Sequence, residues 1–156
     1  MTRLLSGLIE VPDLDYVDSF QALSAVSLRL RADGPSPELL VRKAALELAC
    51  GNFAGSAEAA QDAVSFAPAS SETHHQLGLA HLYLALAKAG AVSVGPGVHE
   101  GTPESVTGLL TRCVESWREA LRLAPDDEET RRDLAVLEKL LKEHDNEARL
   151  VAALRA

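Results

Sequence analysis

Along the chain, stretches with an apolar residue every three or four positions alternate with short polar breaks rich in Gly, Pro, Ser and Asp. Tyr16, Phe20, Leu23, Val26 and Leu30 share one helical face, and the spacing predicts a first helix over 13–32. "DGPSP" (33–37) ends it, because Gly34 can take a left-handed cap and the prolines stop propagation. Ser36 then caps a second helix, with Pro37 in its first turn, running to Cys50. After the turn "GNF" (51–53), a short Ala-rich helix is expected over 55–66, closed by "APASS" (67–71). A fourth helix covers 72–89, with Ser70 or Ser71 as cap. "GAVSVGPGVHEG" (90–101) is the one long loop. Thr102 is expected to cap a fifth helix, with Pro103 and Glu104 in its first turn, ending at Leu123. "APDDEE" (124–129) closes it, and Asp126 or Asp127 caps a sixth helix that extends to Lys142. "HDN" (144–146) separates this from a last short helix reaching Ala156. No stretch alternates apolar and polar residues as a half-buried strand does. The expectation is all-α: about seven helices with short links, a bundle or a helical solenoid.

Composition narrows the classes of job. The 156 residues suit one domain, and 47% are apolar, enough for a core. The formal net charge of −8 argues against nucleic acid or an anionic membrane as the main partner, and no apolar run approaches the ~20 residues of a membrane span. The N-terminal "MTRLLSGLIEVPDLD" is broken by Glu10, Pro12 and Asp13 too early for a signal peptide, so a cytoplasmic protein is expected. Cys50 and Cys113 fall inside helical patterns without metal-ligand spacing, and read as buried small residues.

An internal correspondence separates bundle from solenoid. "FAPASS" (66–71) and "LAPDDE" (123–128) each place Ala-Pro after a helix and a polar cap before the next. Leu77-Gly78 begins nine residues after Pro68, and Leu134-Ala135 nine after Pro125. Ala63 and Ala120 each lie five before their proline. On these residues the chain resembles the tetratricopeptide repeat family, whose 34-residue unit pairs two antiparallel helices, A and B. Residues 37–70 match one unit, with Ala44-Ala45 for the Leu-Gly pair, "GNF" for the turn, and Ser56 and Ala63 at small positions; its helix A needs a one-residue slip to keep Lys43 and Glu47 out of the core. Unit two spans 71–127, with Leu77-Gly78, then Cys113 and Ala120 as small positions and Trp117 as the large one. A third unit or capping helices fill 128–156, and 1–34 forms an N-terminal helical cap. The resemblance implies a single right-handed solenoid of helical hairpins. It also explains Gly78, which would cost about 1 kcal/mol in an ordinary helix but permits close approach of helix B. Ala45 and Ala135 would be milder versions of it.

The chain departs from the family in length. Pro68 and Pro125 are 57 positions apart, not 34, so repeat two holds an insertion at about 86–110. It reads as an extended second hairpin with a Gly/Val/Pro tip at 90–101. The tip is either a tolerated mobile insertion or a protruding contact element.

Candidate chemistry is sparse. His74 and His81 lie two turns apart, about 10 Å along a helix axis, too far for one metal ion, and His75 points elsewhere. The loop pair His99–Glu100 could act as acid and base, but nothing converges on it in sequence. No catalytic residues, metal ligands or cofactors are expected, and the chain does not read as an enzyme. What remains is recognition. By the resemblance, the concave side is lined by helix A, at Arg42 and Leu46, then His75, Leu79 and Leu82, then Arg132 and Val136. Leucines flanked by Arg and His suit a protein or peptide segment with apolar anchors. "EARLVAALRA" (147–156) could instead cover this groove from within the chain. Leu46 and Leu79 stand where clamps for acidic chaperone tails place Asn, so that subtype is not implied. The expectation is a non-enzymatic adaptor or interaction module. The alternatives are a small chaperone of a bacterial secretion system, a self-assembling scaffold or homodimer, and a metal- or pH-sensing His protein.

Overall fold

A computed structural model describes residues 16–95, 98 and 102–156. Among them are seven α-helices and no strands: α1 (Tyr16–Asp33), α2 (Pro37–Ala49), α3 (Phe53–Phe66), α4 (Ser71–Lys88), α5 (Val106–Leu123), α6 (Glu128–Glu143) and α7 (Glu147–Arg155). The expected helix start at Asp13, the reading of the N-terminal fifteen residues and the pair His99–Glu100 lie outside the described residues.

The helix starts follow capping chemistry. Ser36, Asn52, Ser105, Asp127 and Asn146 each accept a hydrogen bond from the backbone amide three residues on, which satisfies a donor left open by the first turn. Asn52 therefore starts α3 two residues earlier than expected. α5 starts later than expected, at Val106 under Ser105, and Thr102 is not its cap. The Thr102 hydroxyl accepts from the Glu104 amide at 3.3 Å, and Lys88 Nζ at the end of α4 donates to the carbonyls of Thr102 and Glu104. Residues 102–104 are thus tied to α4, and helical geometry begins beyond them.

The two proline corners have the same build. Ala67 (φ −137°, ψ 69°) and Ala124 (φ −134°, ψ 78°) leave the helix with matching dihedrals, and the amide three residues beyond each bonds back to its carbonyl, from Ser70 and from Asp127. Three positions further on stand Thr73 and Thr130, both buried. The next residue on each helix returns to the proline: His74 Nε2 donates to the Pro68 carbonyl at 2.7 Å, and Arg131 donates to the Pro125 carbonyl.

α4 sits at the centre, packed on α5, α3 and α2. Its buried run (Leu77, Gly78, Ala80, His81, Leu82, Tyr83, Ala85, Leu86 and Ala87) covers most of its circumference, as expected for a helix enclosed by neighbours. The main core joins Leu82, Leu86, Leu109, Leu110, Trp117, Leu137, Leu150 and Leu154. A smaller cluster of Ala44, Ala59, Ala60 and Leu77 binds the first hairpin to α4, and a third joins Leu48 and Phe53 to Tyr83 and Ala87. The arrangement is compatible with stacked helical hairpins.

Two expectations about close contacts are corrected. At the α2–α3 crossing the small residue is Ala44, fully buried, while Ala45 is exposed; Ala135 is exposed as well. Ala44 precedes Gly78 by one 34-residue period, so the helix keeps the plain repeat register and the expected one-residue slip does not occur; Lys43 and Glu47 are half-buried beside it. The buried Ser56 hydroxyl donates to the Ala44 carbonyl at 2.7 Å, so the two helices touch through a hydrogen bond as well as through small side chains.

The sequence predicts a free or protruding tip after α4. The described first part of this loop instead lies against the first hairpin. The Gly95 amide donates to the Gly51 carbonyl at 3.2 Å. A Cβ on Gly95 would come within 1.8 Å of the Cys50 carbonyl oxygen, and one on Gly51 within 2.3 Å of the Gly95 nitrogen. Gly51 also has φ +75°, which a side chain would strain. Val92 and Val94 pack on the Leu48–Phe53–Tyr83–Ala87 cluster, and this apolar contact holds the loop down.

Candidate interaction surface on α2, α4 and α6

Gly78 positions the most elaborate assembly on α4. It faces the Trp117 indole of α5 so closely that a Cβ would stand 2.4 Å from the Trp117 Cδ1 and 3.2 Å from the Cys113 carbonyl. The glycine thus lets the buried Trp117 lie flat across α4. One turn earlier, the His75 ring stacks on Trp117 with centroids 5.7 Å apart and planes 11° apart. The indole Nε1 donates to the His75 carbonyl at 3.1 Å, which satisfies the only polar atom of that side chain. His75 is therefore locked by its neighbour. Burial lowers its pKa, against an opposing pull from Asp127, Glu129 and Glu72.

The other expected groove residues divide. Arg42 is exposed and Leu46 half-buried on α2. Leu79 is half-buried on α4 and leans on two of the core clusters. Because α2 packs on α4, these positions and His75 stand on adjoining helices. Leu82, by contrast, is 0% exposed and belongs to the main core, so it lines no surface. Its place, one turn beyond Leu79, is turned into α5 by the helix rotation. On α6, Val136 is half-buried against the main core and the Arg132 side chain is exposed. α6 meets the stack chiefly through α5, which sets Arg132 and Val136 apart from the α2–α4 pair. α7 also packs on α5, with Leu150 and Leu154 in the main core and Glu147 accepting from the Thr107 amide at 3.2 Å. The C-terminal helix therefore packs along the α5 side of the molecule.

Asp133, beside Arg132, was not singled out by the sequence reading. It is 5% exposed, and its Oδ1 has no hydrogen-bond partner among the described residues. The nearest cation, Arg132 Nε, lies 3.9 Å away, too far for a hydrogen bond. Burial raises the Asp133 pKa to about 6; Arg132 opposes the rise, while Glu129 and Asp127 add to it. Its helical position gives a signal, since Asp133 precedes Leu134 on the face turned to α5, but no rule of spacing would have marked it as buried.

The remaining polar candidates have structural settings. His81 is buried and its Nδ1 lacks a partner among the described residues; burial lowers its pKa, and the nearby Arg112 lowers it further. Arg112 itself pairs with Glu104 at 2.8 Å, so the residue expected in the first turn of α5 serves as its ion-pair partner. Burial raises the pKa of both thiols, that of Cys113 well above the ordinary value, so neither is poised as a nucleophile. Among the described residues no three His, Cys, Asp or Glu side chains come together as a metal-holding group, and no helix is long and apolar enough to cross a membrane.

Comparison of the chain with protein-family models, curated proteins and solved structures finds no match.

Proposed function

We propose that this chain is a tetratricopeptide-like interaction module without enzymatic activity. It takes a protein segment on the face where α2 adjoins α4, with α6 contributing at one end. The observation that supports this reading is the mixed face made by exposed Arg42, half-buried Leu46 and half-buried Leu79 on two helices packed side by side. The leucines offer shallow apolar anchors, and the arginines at positions 42 and 132 offer charge-assisted bonds to an acidic residue of the segment. Partly exposed apolar side chains next to exposed cations are the composition that interface cores and rims combine. Action inside the cell belongs to the same proposal.

The test is capture from a native lysate on immobilised protein, comparing the parent chain with Arg42→Glu. This side chain is exposed, so folding should be unaffected. The reading expects a partner retained by the parent and lost by the variant at equal melting temperature. Equal retention by both would refute it.

A further inference from the structure

Among the described side chains of α1 only Val26 is buried, and large apolar side chains stand in solvent: Phe20 is 44% exposed and Leu28 63%. An open groove of about 400 Å³ runs along this helix, lined by Phe20, Leu23, Ser24, Ser27, Leu28 and Arg31. These six positions are spaced 3, 1, 3, 1, 3, the stripe one helix presents to another. Read from either end, their chemistry matches itself. If two copies of α1 lie antiparallel about a two-fold axis near residues 25 and 26, position i of one faces position 51 − i of the other. Phe20 then meets Arg31, Leu23 meets Leu28, and Ser24 meets Ser27. The pairs are a cation on an aromatic face, an apolar pair, and two small side chains where the axes come nearest. Spacing alone makes such a stripe symmetric in position. It does not make the facing residues suit one another.

We propose that this groove is filled by α1 of a second copy of the chain, giving an antiparallel two-fold dimer. Details of the face fit a helix as its occupant. The Ser24 hydroxyl already donates to the Phe20 carbonyl at 3.0 Å, so burying it orphans no donor. The exposed ion pair Arg29–Asp33 falls on the side of this helix away from the stripe, so burial of the stripe leaves it in water. One helix pair buries less than the ~1,200 Å² of a stable interface, so the dimer is weak and concentration-dependent, with Kd in the micromolar range or above. The face is separate from the α2–α4 surface, and the proposal does not depend on that reading.

Sedimentation equilibrium of the full chain over a wide concentration range tests it. The parent should show a reversible monomer–dimer equilibrium. Phe20→Arg sets a second guanidinium against that of Arg31 and should weaken association by at least about tenfold, and the exchange Phe20→Arg/Arg31→Phe should restore it to within about threefold. Leu28→Glu should weaken it likewise without altering the melting temperature of dilute protein. A parent that stays monomeric to about 1 mM, or an exchange variant no better than Phe20→Arg alone, overturns the proposal. So does a Leu28→Glu variant that melts earlier with no change in mass, which would assign the face to the chain's own residues 1–15.

Discussion

Gly78 is subject to two opposed effects of different size. Alanine would raise helix propensity by about 1 kcal/mol. Its Cβ would also enter the space held by the Trp117 indole, 2.4 Å away, and disturb both the bond to His75 and the ring stack. Overpacking a tight site costs about 1–3 kcal/mol or more, and the indole has no free side to move into. Gly78→Ala should therefore destabilise the fold by a net amount of about 1–2 kcal/mol, read as a lower urea midpoint; a rise would show that α4 and α5 are less close than described. Asp133 gives a second prediction at this scale. Its pKa stands near 6 in the folded chain against an ordinary 3.8, so the folded state holds the proton more tightly than the unfolded one. Its stabilising effect is complete below about pH 3.8 and is lost as pH rises to about 6. Asp133→Asn should thus raise stability at pH 7 by about 1–3 kcal/mol and flatten the pH profile between about 4 and 6. Urea unfolding across that range checks both. Cysteine burial, the role of Gly78 and the cap at Ser36 were readable from the sequence, as was the α6 cap down to Asp126 or Asp127, because each follows from local pattern. The isolation of Asp133 and the burial of Leu82 were not: both depend on how far α4 and α6 are rotated about their own axes, which one-residue shifts in periodicity do not fix.

Among elements, the two corners resemble each other in backbone yet differ in how the next helix is capped. Asp127 accepts from the Thr130 amide at 3.1 Å and from its hydroxyl at 2.6 Å, whereas Ser70 makes no side-chain cap bond. Asp127→Ala should cost about 1–2 kcal/mol, and Ser70→Ala well under about 0.5 kcal/mol. Equal losses measured by thermal unfolding would contradict the assignment. In the loop after α4, the docking of residues 91–95 on the first hairpin was not legible in the sequence. Gly, Val and Pro without periodicity read as a tip, because pairing between Gly95 and Gly51 is a contact across 44 positions and leaves no local trace. The docked loop makes its own prediction. Gly95→Ala places a methyl group inside the Cys50 carbonyl, so residues 91–95 should lift from the α2–α3 turn. The Gly95 amide should then lose its hydrogen-exchange protection while the α5–α6 core keeps its own. Unchanged exchange would mean that the loop is not held there.

For the molecule as a whole, and among the described residues, the sequence supplied the all-helical class, about seven helices and the equivalence of the Pro68 and Pro125 corners, because turn residues and caps are punctuation read locally. It placed the interaction surface only in part. Arg42, Leu46, Leu79 and Val136 keep some exposure, Leu82 has none, and α6 leans on α5 and not chiefly on α4. The proposed face is therefore narrower than the resemblance implied, and it is concentrated where α2 meets α4. The most direct measurement places a photo-activatable cross-linking residue at Leu46 in the full chain, with Glu115 on the exposed side of α5 as control, and irradiates both in native lysate. The account predicts a discrete protein adduct from position 46 and none of the same mass from 115. Equal adducts at both positions, or none at 46, would contradict it.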